Sequence, residues 1–205
     1  MRTAAARLYP TFAANPDYTA IVHERHFARL TRLIADARER GAEVVELNPA
    51  GETSEPANRR LAPTLILGAT DAMAVMQEEI FGPVLPVETY TSLDEAVTRI
   101  NARPRPLAFY FFGENPGERE RVLQQTIAGG VTVNDTLWHC VHEGLPFGGV
   151  GPSGIGAYHG EHSFRRFSQE KPVFHQSRWS TARFLWPPYG RRFDQIFSLL
   201  KRFAR

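Results

Sequence analysis

The sequence predicts an α/β fold in which a mostly parallel sheet is flanked by helices and followed by a C-terminal amphipathic tail. Short apolar or β-branched runs recur along the chain, and helical patterns fall between several of them. Strands that alternate with helices favour crossover connections and therefore parallel pairing. Hydrophobic residues make up 42% of the 205 residues and charged residues 22%, which are values of a globular protein with a buried core.

Five short runs are the predicted strands, and turn-forming residues lie near several of them. They cover residues 44–45, 64–67, 84–90, 107–112 and 131–134. A first helix is predicted by apolar residues that share one helical face, namely Phe27, Leu30, Leu33, Ile34 and Ala37. Gly41 is a natural end for that helix.

Two further helices are predicted from their starting signals. Ser92 and Glu95 form a capping-box pair ahead of a second apolar face. The Asn-Pro step at 115–116 opens a third helix, and the Gly-Gly pair at 129–130 is expected to end it.

The pattern changes from about Val141 onward. Glycine and proline crowd the stretch LPFGGVGPSGIGAYHG, which predicts an ordered loop. A Pro-Pro step at 187–188 then precedes residues 191–205, where apolar residues follow one helical stripe and basic residues lie outside it. The stripe contains Phe193, Ile196, Phe197, Leu200 and Phe203.

Composition and charge exclude several classes of protein. The net charge of +2 is too small to favour a nucleic-acid partner. One cysteine cannot form an internal disulfide and fits a reducing compartment, so a cytoplasmic location is expected. The sequence shows neither a signal peptide nor an apolar run of the roughly 20 residues that a membrane span requires.

The stretch QEEIFGPVLPV places Glu78 and Glu79 directly before an aromatic residue and a Gly-Pro corner. An arbitrary pair of glutamates most often lies at a solvated helix end. Phe81 and the rigid corner favour a different interpretation, since they would hold a carboxylate beside a flat apolar face. Such an arrangement suits a sugar diol joined to a flat ring, and both interpretations stay open on these residues alone.

Four ordered motifs carry a resemblance to a known family. EEIFGPVLPV, PLAFYFF, GGVTVND and LPFGGVGPSGIGAYHG occur in this order, and together they resemble the C-terminal half of NAD(P)-dependent aldehyde dehydrogenases. YPTFAANPDYTAIVHERHF and WPPYG are most similar to the fatty and coniferyl aldehyde dehydrogenase branch. The resemblance implies residues 1–176 as part of the catalytic domain with its C-terminal oligomerisation strand, and residues 177–205 as a basic amphipathic tail.

The resemblance also implies site residues. Glu79 would bind the hydroxyls of the nicotinamide ribose of NAD or NADP, and Phe81 would pack near the nicotinamide. Phe147 would line the mouth of the aldehyde pocket, with Leu145 and His139 as further lining residues. The choice between NAD and NADP stays open, because the residues that read the adenosine ribose are expected outside this chain.

No catalytic residue is expected in this chain. In the family, a cysteine in a Gly-Gln-x-Cys context attacks the aldehyde, hydride passes to NAD(P)+, and a glutamate acts as general base in the hydrolysis that releases the acid. These groups are expected before Met1, so the isolated chain is expected to be inactive. A segment of an aldehyde dehydrogenase is one hypothesis, and a non-catalytic ligand-binding or oligomerisation module derived from the family is the alternative.

Cys140 lies in WHCVHEG between two histidines but does not match the family nucleophile. If this stretch is a strand, residues 139 and 140 point to opposite faces, and too few ligands remain for a metal site. The expectation is therefore a buried, inert cysteine and no bound metal.

Two partner surfaces are predicted near the C terminus. SQEKPVFHQ, residues 168–176, resembles the family strand that builds subunit contacts, so a homodimer is expected unless the chain pairs with a complementing N-terminal half. The apolar stripe of residues 191–205 is expected to pack on the domain or on a partner subunit. Weak contact with a membrane surface is the alternative.

Overall fold

The structure is a computed structural model that describes residues 1–203. The chain divides into two compact units, Met1–Ile100 and Asn101–Arg205. The first unit contains helices α1 (Arg2–Leu8), α2 (Glu24–Glu39) and α3 (Leu93–Asn101), a short 3-10 helix (Ala74–Met76), and strands β1 (Glu43–Glu46), β2 (Thr64–Leu67) and β3 (Val84–Val87).

The sheet of the first unit has the order β1-β2-β3, with β1 antiparallel to β2 and β2 parallel to β3. The β1–β2 pair departs from the predicted parallel pairing because residues 47–63, which connect the two strands, form no crossover helix. Thr64 pairs with Val84 in the β2–β3 register, and the Thr64 N–H donates to the Pro83 carbonyl at 2.8 Å. This bond fixes the end of the EEIFGP loop against the central strand.

The core of the first unit forms where α2 packs its apolar face. All five residues that predicted this helix are buried, and Leu30 is fully so. They join Ile66 of β2 and Val84 of β3 in one cluster. Helix α2 ends at Glu39, two residues before Gly41, whose φ of +91° confirms the predicted stop.

The predicted capping box of α3 is present in part, because the Glu95 side chain bonds Thr91 and not the backbone of Ser92. The Glu95 N–H donates to the Ser92 hydroxyl at 3.2 Å, as predicted. The Glu95 carboxylate accepts from both the N–H and the hydroxyl of Thr91, at 2.8 and 2.7 Å. These bonds hold the pKa of Glu95 below its ordinary value.

The second unit contains strands β4 (Ala108–Phe111) and β5 (Gly130–Val133), which pair in parallel. Its helices are α4 (Pro116–Gln125), α5 (Trp138–Val141), α6 (Gly160–Arg166) and α7 (Arg191–Phe203), with a 3-10 helix at Thr181–Leu185. The parallel pairing through α4 confirms the α/β prediction for this part of the chain.

Helix α4 begins as predicted and ends earlier. The Asn115 side chain caps the N–H groups of Gly117 and Glu118, and Pro116 occupies the first helical position. The predicted end at the Gly-Gly pair was wrong. The helix ends at Gln125 because Thr126 adopts an extended conformation and its hydroxyl donates to the Val122 carbonyl at 2.8 Å.

Residues 168–176 form neither helix nor strand, and the Phe174 side chain is 85% exposed. Helix α7 follows the predicted stripe, with the rings of Phe193 and Phe197 stacked at 5.5 Å, and residues 204–205 of the predicted tail lie outside the described residues. Within residues 1–203, no helix combines the length and the apolar character that crossing a bilayer requires.

Candidate functional site

A first candidate site, in the first unit, is the loop of residues 77–83, which joins the 3-10 helix to β3. Asp36 on α2 fixes the 3-10 helix that precedes this loop, because its carboxylate accepts from the Ala74 N–H at 2.9 Å. Its other oxygen accepts from Arg40 at 2.6 Å. The Ala74 N–H and the Arg40 guanidinium hold the pKa of the Asp36 carboxyl below its ordinary value of 3.8.

Arg29 on α2 holds Glu78 and the backbone beyond it. One guanidinium nitrogen lies 3.1 Å from the Glu78 carboxylate, and another donates to the Ile80 carbonyl at 2.6 Å. The Nε–H of Arg29 donates to Nδ1 of His26 at 3.3 Å. The ion pair with Arg29 gives Glu78 a structural role in the loop. The sequence had suggested no ligand-binding role for this residue.

His26 extends this network to Phe81. Because Nδ1 of His26 accepts from Arg29, the hydrogen of the neutral ring lies on Nε2, which donates to the Phe81 carbonyl at 2.8 Å. Phe81 has a φ of +48°, a region that bulky side chains rarely adopt, at a cost of about 1–3 kcal/mol. The bonds from α2 therefore hold a strained turn, and they present the Phe81 ring with 79% of its surface exposed.

Glu79 lies between these anchored residues and is itself exposed. No side chain or backbone group among residues 1–203 hydrogen-bonds its carboxylate. The neighbouring guanidinium of Arg29 is engaged with Glu78 and Ile80. The carboxylate of Glu79 is thus available to a ligand, two residues before the exposed ring of Phe81.

Gly82 sets how closely the loop approaches α2. A Cβ at this position would lie 2.5 Å from a methyl carbon of Leu30, which is fully buried. The absence of a side chain at Gly82 allows the loop to lie directly on the helix that carries His26 and Arg29.

A second candidate site lies in the second unit around Phe147. Its ring stacks on His159 at 5.7 Å and meets Tyr158 edge-on at 5.4 Å. The backbones of Phe147 and Tyr158 also exchange two hydrogen bonds, at 2.9 and 3.0 Å. The Gly-rich stretch is therefore an ordered loop, as predicted, and Phe147 lines a cleft of about 460 Å³ together with Tyr158 and Arg166.

His139 is 5% exposed and lies next to this cluster, with its ring 6.2 Å from that of Phe147. The Thr132 hydroxyl lies 2.8 Å from Nδ1 of His139 and accepts from the His139 backbone N–H at 3.2 Å. Nε2 of His139 is buried, and it has no hydrogen-bond partner within the described part of the chain. Thr132 thus fixes the His139 ring, and Nε2 of that ring remains buried with no partner among the described residues.

Leu145 is 44% exposed, and neither Leu145 nor His139 lines the cleft next to Phe147. The structure therefore places the His139 ring next to that of Phe147. Leu145, two residues before Phe147, lies at the surface. All three predicted pocket residues thus lie within residues 139–147, at or just before the start of the Gly-rich loop.

The stretch around Cys140 is not a strand, the case considered for it from the sequence. Residues 138–141 form the short helix α5, so alternation along a strand does not apply. Cys140 was also expected to be buried, and it is partly exposed. Its thiol donates to the Leu137 carbonyl at 2.8 Å within its own turn, an arrangement that does not activate a nucleophile.

The comparisons with known proteins decide the family. The model of the aldehyde dehydrogenase family matches residues 1–173. The chain belongs to the aldehyde dehydrogenase family. A probable coniferyl aldehyde dehydrogenase of Caulobacter vibrioides is 54% identical over 192 residues, which are 92% of this chain and 40% of that protein.

Solved aldehyde dehydrogenases share the fold. The substrate-bound state of Staphylococcus aureus AldH matches 97% of this chain and 43% of its own, with a TM-score of 0.75 and 40% identity. The P. syringae indole-3-acetaldehyde dehydrogenase AldA in complex with NAD+ and IAA matches 73% of this chain and 30% of its own, with a TM-score of 0.64 and 30% identity. The chain thus spans 40% of the length of the Caulobacter vibrioides relative and 43% of the Staphylococcus aureus structure.

Sequence reasoning missed the residues that hold the candidate site. His26 and Arg29 lie in the HERHF stretch, which contributed to the resemblance, yet they received no role. Their spacing of three residues places both on one face of α2. That spacing was a usable signal, but the loop that they bind lies about 50 residues further along the chain.

Proposed function

We propose that this chain supplies part of the cofactor and aldehyde sites of an enzyme that oxidises aldehydes to carboxylic acids with NAD(P)+. Membership of the aldehyde dehydrogenase family supports the reaction class. The chain spans about 40% of its relatives, so the activity is that of the whole enzyme and not of this segment alone.

One observation carries the cofactor assignment, namely the unpaired carboxylate of Glu79 beside the exposed ring of Phe81. A carboxylate accepts two hydrogen bonds from the vicinal hydroxyls of a ribose, and an aromatic face packs against a flat heterocycle. The residues therefore fit the nicotinamide ribose of NAD or NADP. When bound, this cofactor supplies the acceptor of the hydride, while Glu79 and Phe81 orient it.

On the aldehyde side, Phe147, Leu145 and His139 are the proposed lining residues. The stacked cluster of Phe147 and His159 offers flat apolar surface, which suits an aromatic aldehyde. The name of the Caulobacter vibrioides relative supports coniferyl-type aldehydes as the substrate class, and long-chain aliphatic aldehydes are the second class.

The isolated chain is proposed to be inactive. Cys140 is its one cysteine, and its thiol donates to the carbonyl of Leu137, the residue that precedes α5. Positioning and activation of a nucleophile supply a large part of the rate enhancement in covalent catalysis, and a carboxylate with aromatic neighbours does not replace them.

Exposed aromatic side chains support a requirement for partner surface. Phe167, Phe174 and Trp179 are each at least 84% exposed. Burying large aromatic side chains against another surface is favourable. We propose that a second subunit or the remaining part of the enzyme covers them.

An NMR titration of the 205-residue chain with nicotinamide mononucleotide tests the cofactor assignment. This probe carries the nicotinamide and its ribose without the adenosine half. The amides of Glu79 and Phe81 are expected to shift saturably, and Glu79→Gln is expected to weaken binding at least fivefold. Glu39→Gln, an exposed change at the far end of α2, is the matched control and should leave binding unchanged. Equal binding by Glu79→Gln would contradict the assignment.

A further inference from the structure

We propose that His26 and Arg29 on α2 are positioning residues of the cofactor site. They hold the loop of residues 78–81 in the conformation that presents Glu79 and Phe81 to the nicotinamide ribose. This inference rests on the proposed function, since it concerns the same site.

The anchors bracket Glu79 without touching it. Arg29 binds the Glu78 side chain on one side and the Ile80 carbonyl on the other, while His26 binds the Phe81 carbonyl. None of these bonds uses the Glu79 carboxylate, which is exposed. The carboxylate therefore stays free for a ligand while the loop on both sides of it is held.

Arg29 is suited to this task by its fork of donors. Its side chain is 24% exposed, and three of its nitrogens each reach a different acceptor in His26, Glu78 and Ile80. A lysine ammonium is a compact point charge and cannot reproduce this planar geometry. Substitution by lysine is therefore expected to preserve the charge and lose the positioning.

His26 holds the residue with the unusual backbone. Phe81 keeps a φ of +48° while Nε2 of His26 donates to its carbonyl. Without this bond, relaxation of Phe81 to a negative φ rotates the adjoining peptides and turns Glu79 away from its present direction. Glutamine at position 26 retains an N–H donor of similar reach and is the conservative replacement.

A double-mutant cycle on the affinity for nicotinamide mononucleotide tests the inference in the 205-residue chain. His26→Ala and Arg29→Met are each expected to weaken binding at least fivefold, whereas His26→Gln stays within twofold of the unmodified chain. Arg29→Lys is expected to behave like Arg29→Met. Because His26 acts through Glu79, the double variant His26→Ala/Glu79→Gln should bind no more weakly than Glu79→Gln alone.

The outcomes separate the two proposals. If Glu79→Gln weakens binding and neither His26→Ala nor Arg29→Met does, the positioning role is wrong and the cofactor assignment stands. Multiplicative losses in the double variant would also overturn the positioning role, because they would show independent action. If the unmodified chain does not bind the probe, or Glu79→Gln binds equally well, the proposed function fails. Should His26→Ala not fold, the same cycle is run with Arg29→Met.

Discussion

Arg29 reaches across from α2 and forms an ion pair with Glu78 at 3.1 Å, so the two adjacent glutamates of the EEIFG motif have different roles. Glu78 is paired and 47% exposed, while Glu79 is exposed and unpaired within the described chain. One carboxylate stabilises the loop and its neighbour remains available for a ligand. This division predicts different consequences for the two substitutions.

Replacing Glu79 with alanine should leave the stability of the chain nearly unchanged, within about 0.5 kcal/mol, because its exposed side chain bonds none of residues 1–203. Glu78→Ala should cost about 0.2–1 kcal/mol, the range for a partly exposed ion pair. Urea unfolding of both variants measures the difference. A larger loss for Glu79→Ala than for Glu78→Ala would contradict the assigned roles.

Gly82→Ala should destabilise the chain by about 1–3 kcal/mol, because the new methyl group would lie 2.5 Å from a Leu30 methyl in a packed core. The loop is then pushed away from α2, and affinity for nicotinamide mononucleotide should fall with it. Gly190→Ala is the matched control, since a Cβ there meets no atom within 4 Å. Unfolding curves in which the two variants lose equal stability would show that close packing at Gly82 is unimportant.

Thr132→Val should cost about 1–3 kcal/mol, because the buried Nδ1 of His139 then loses its hydroxyl partner. Thr132→Ser keeps the hydroxyl and should retain most of the stability. Chemical denaturation of the three proteins makes the comparison. If valine is as stable as serine at this position, the hydrogen bond does not hold the ring of His139.

The stability of the first unit should depend on Asp36 in acid. Its folded-state pKa is lowered by the Ala74 N–H and by Arg40, so its contribution is present above the ordinary value of 3.8. That contribution is lost as the pH falls below 3.8 and through the lower folded-state pKa. Asp36→Asn should therefore be less stable than the unmodified chain at neutral pH, and the gap should close in acid. A gap that stays constant from pH 6 to pH 2 would rule out this linkage.

The purified chain should produce no NADH from coniferyl aldehyde and NAD+ above the rate of a protein-free blank. A full-length enzyme with measured coniferyl aldehyde dehydrogenase activity is the positive control in the same absorbance assay. Steady NADH formation by the 205-residue chain would show that it contains a nucleophile, contrary to the proposal.

Periodicity predicted the elements with the strongest burial. The apolar face of α2 was readable because its buried residues recur at helical spacing, and the five strands formed within or overlapping the predicted runs. Short elements were less predictable. Helix α5 has four residues, too few to show a helical period. Helix α4 ends at Gln125, where the hydroxyl of Thr126 bonds the Val122 carbonyl and the sequence has no glycine to signal the end.

In the loop of residues 77–83, the sequence predicted the exposed residues and missed the residues of α2 that hold the loop. Glu79 and Phe81 stand within a motif and were found there. The roles of His26 and Arg29 depend on bonds to a loop about 50 positions away, and spacing along the chain does not reveal such pairs. The strained backbone of Phe81 was likewise unpredictable, because tertiary bonds overcome its local preference.

Intermolecular nuclear Overhauser effects between the chain and bound nicotinamide mononucleotide test the central claim most directly. We expect contacts from the ribose protons to the Glu79 side chain and from the nicotinamide ring to the Phe81 ring, both weaker in Glu79→Gln at the same probe concentration. A bound probe whose ribose contacts other residues, with Glu79 still facing solvent, would contradict it.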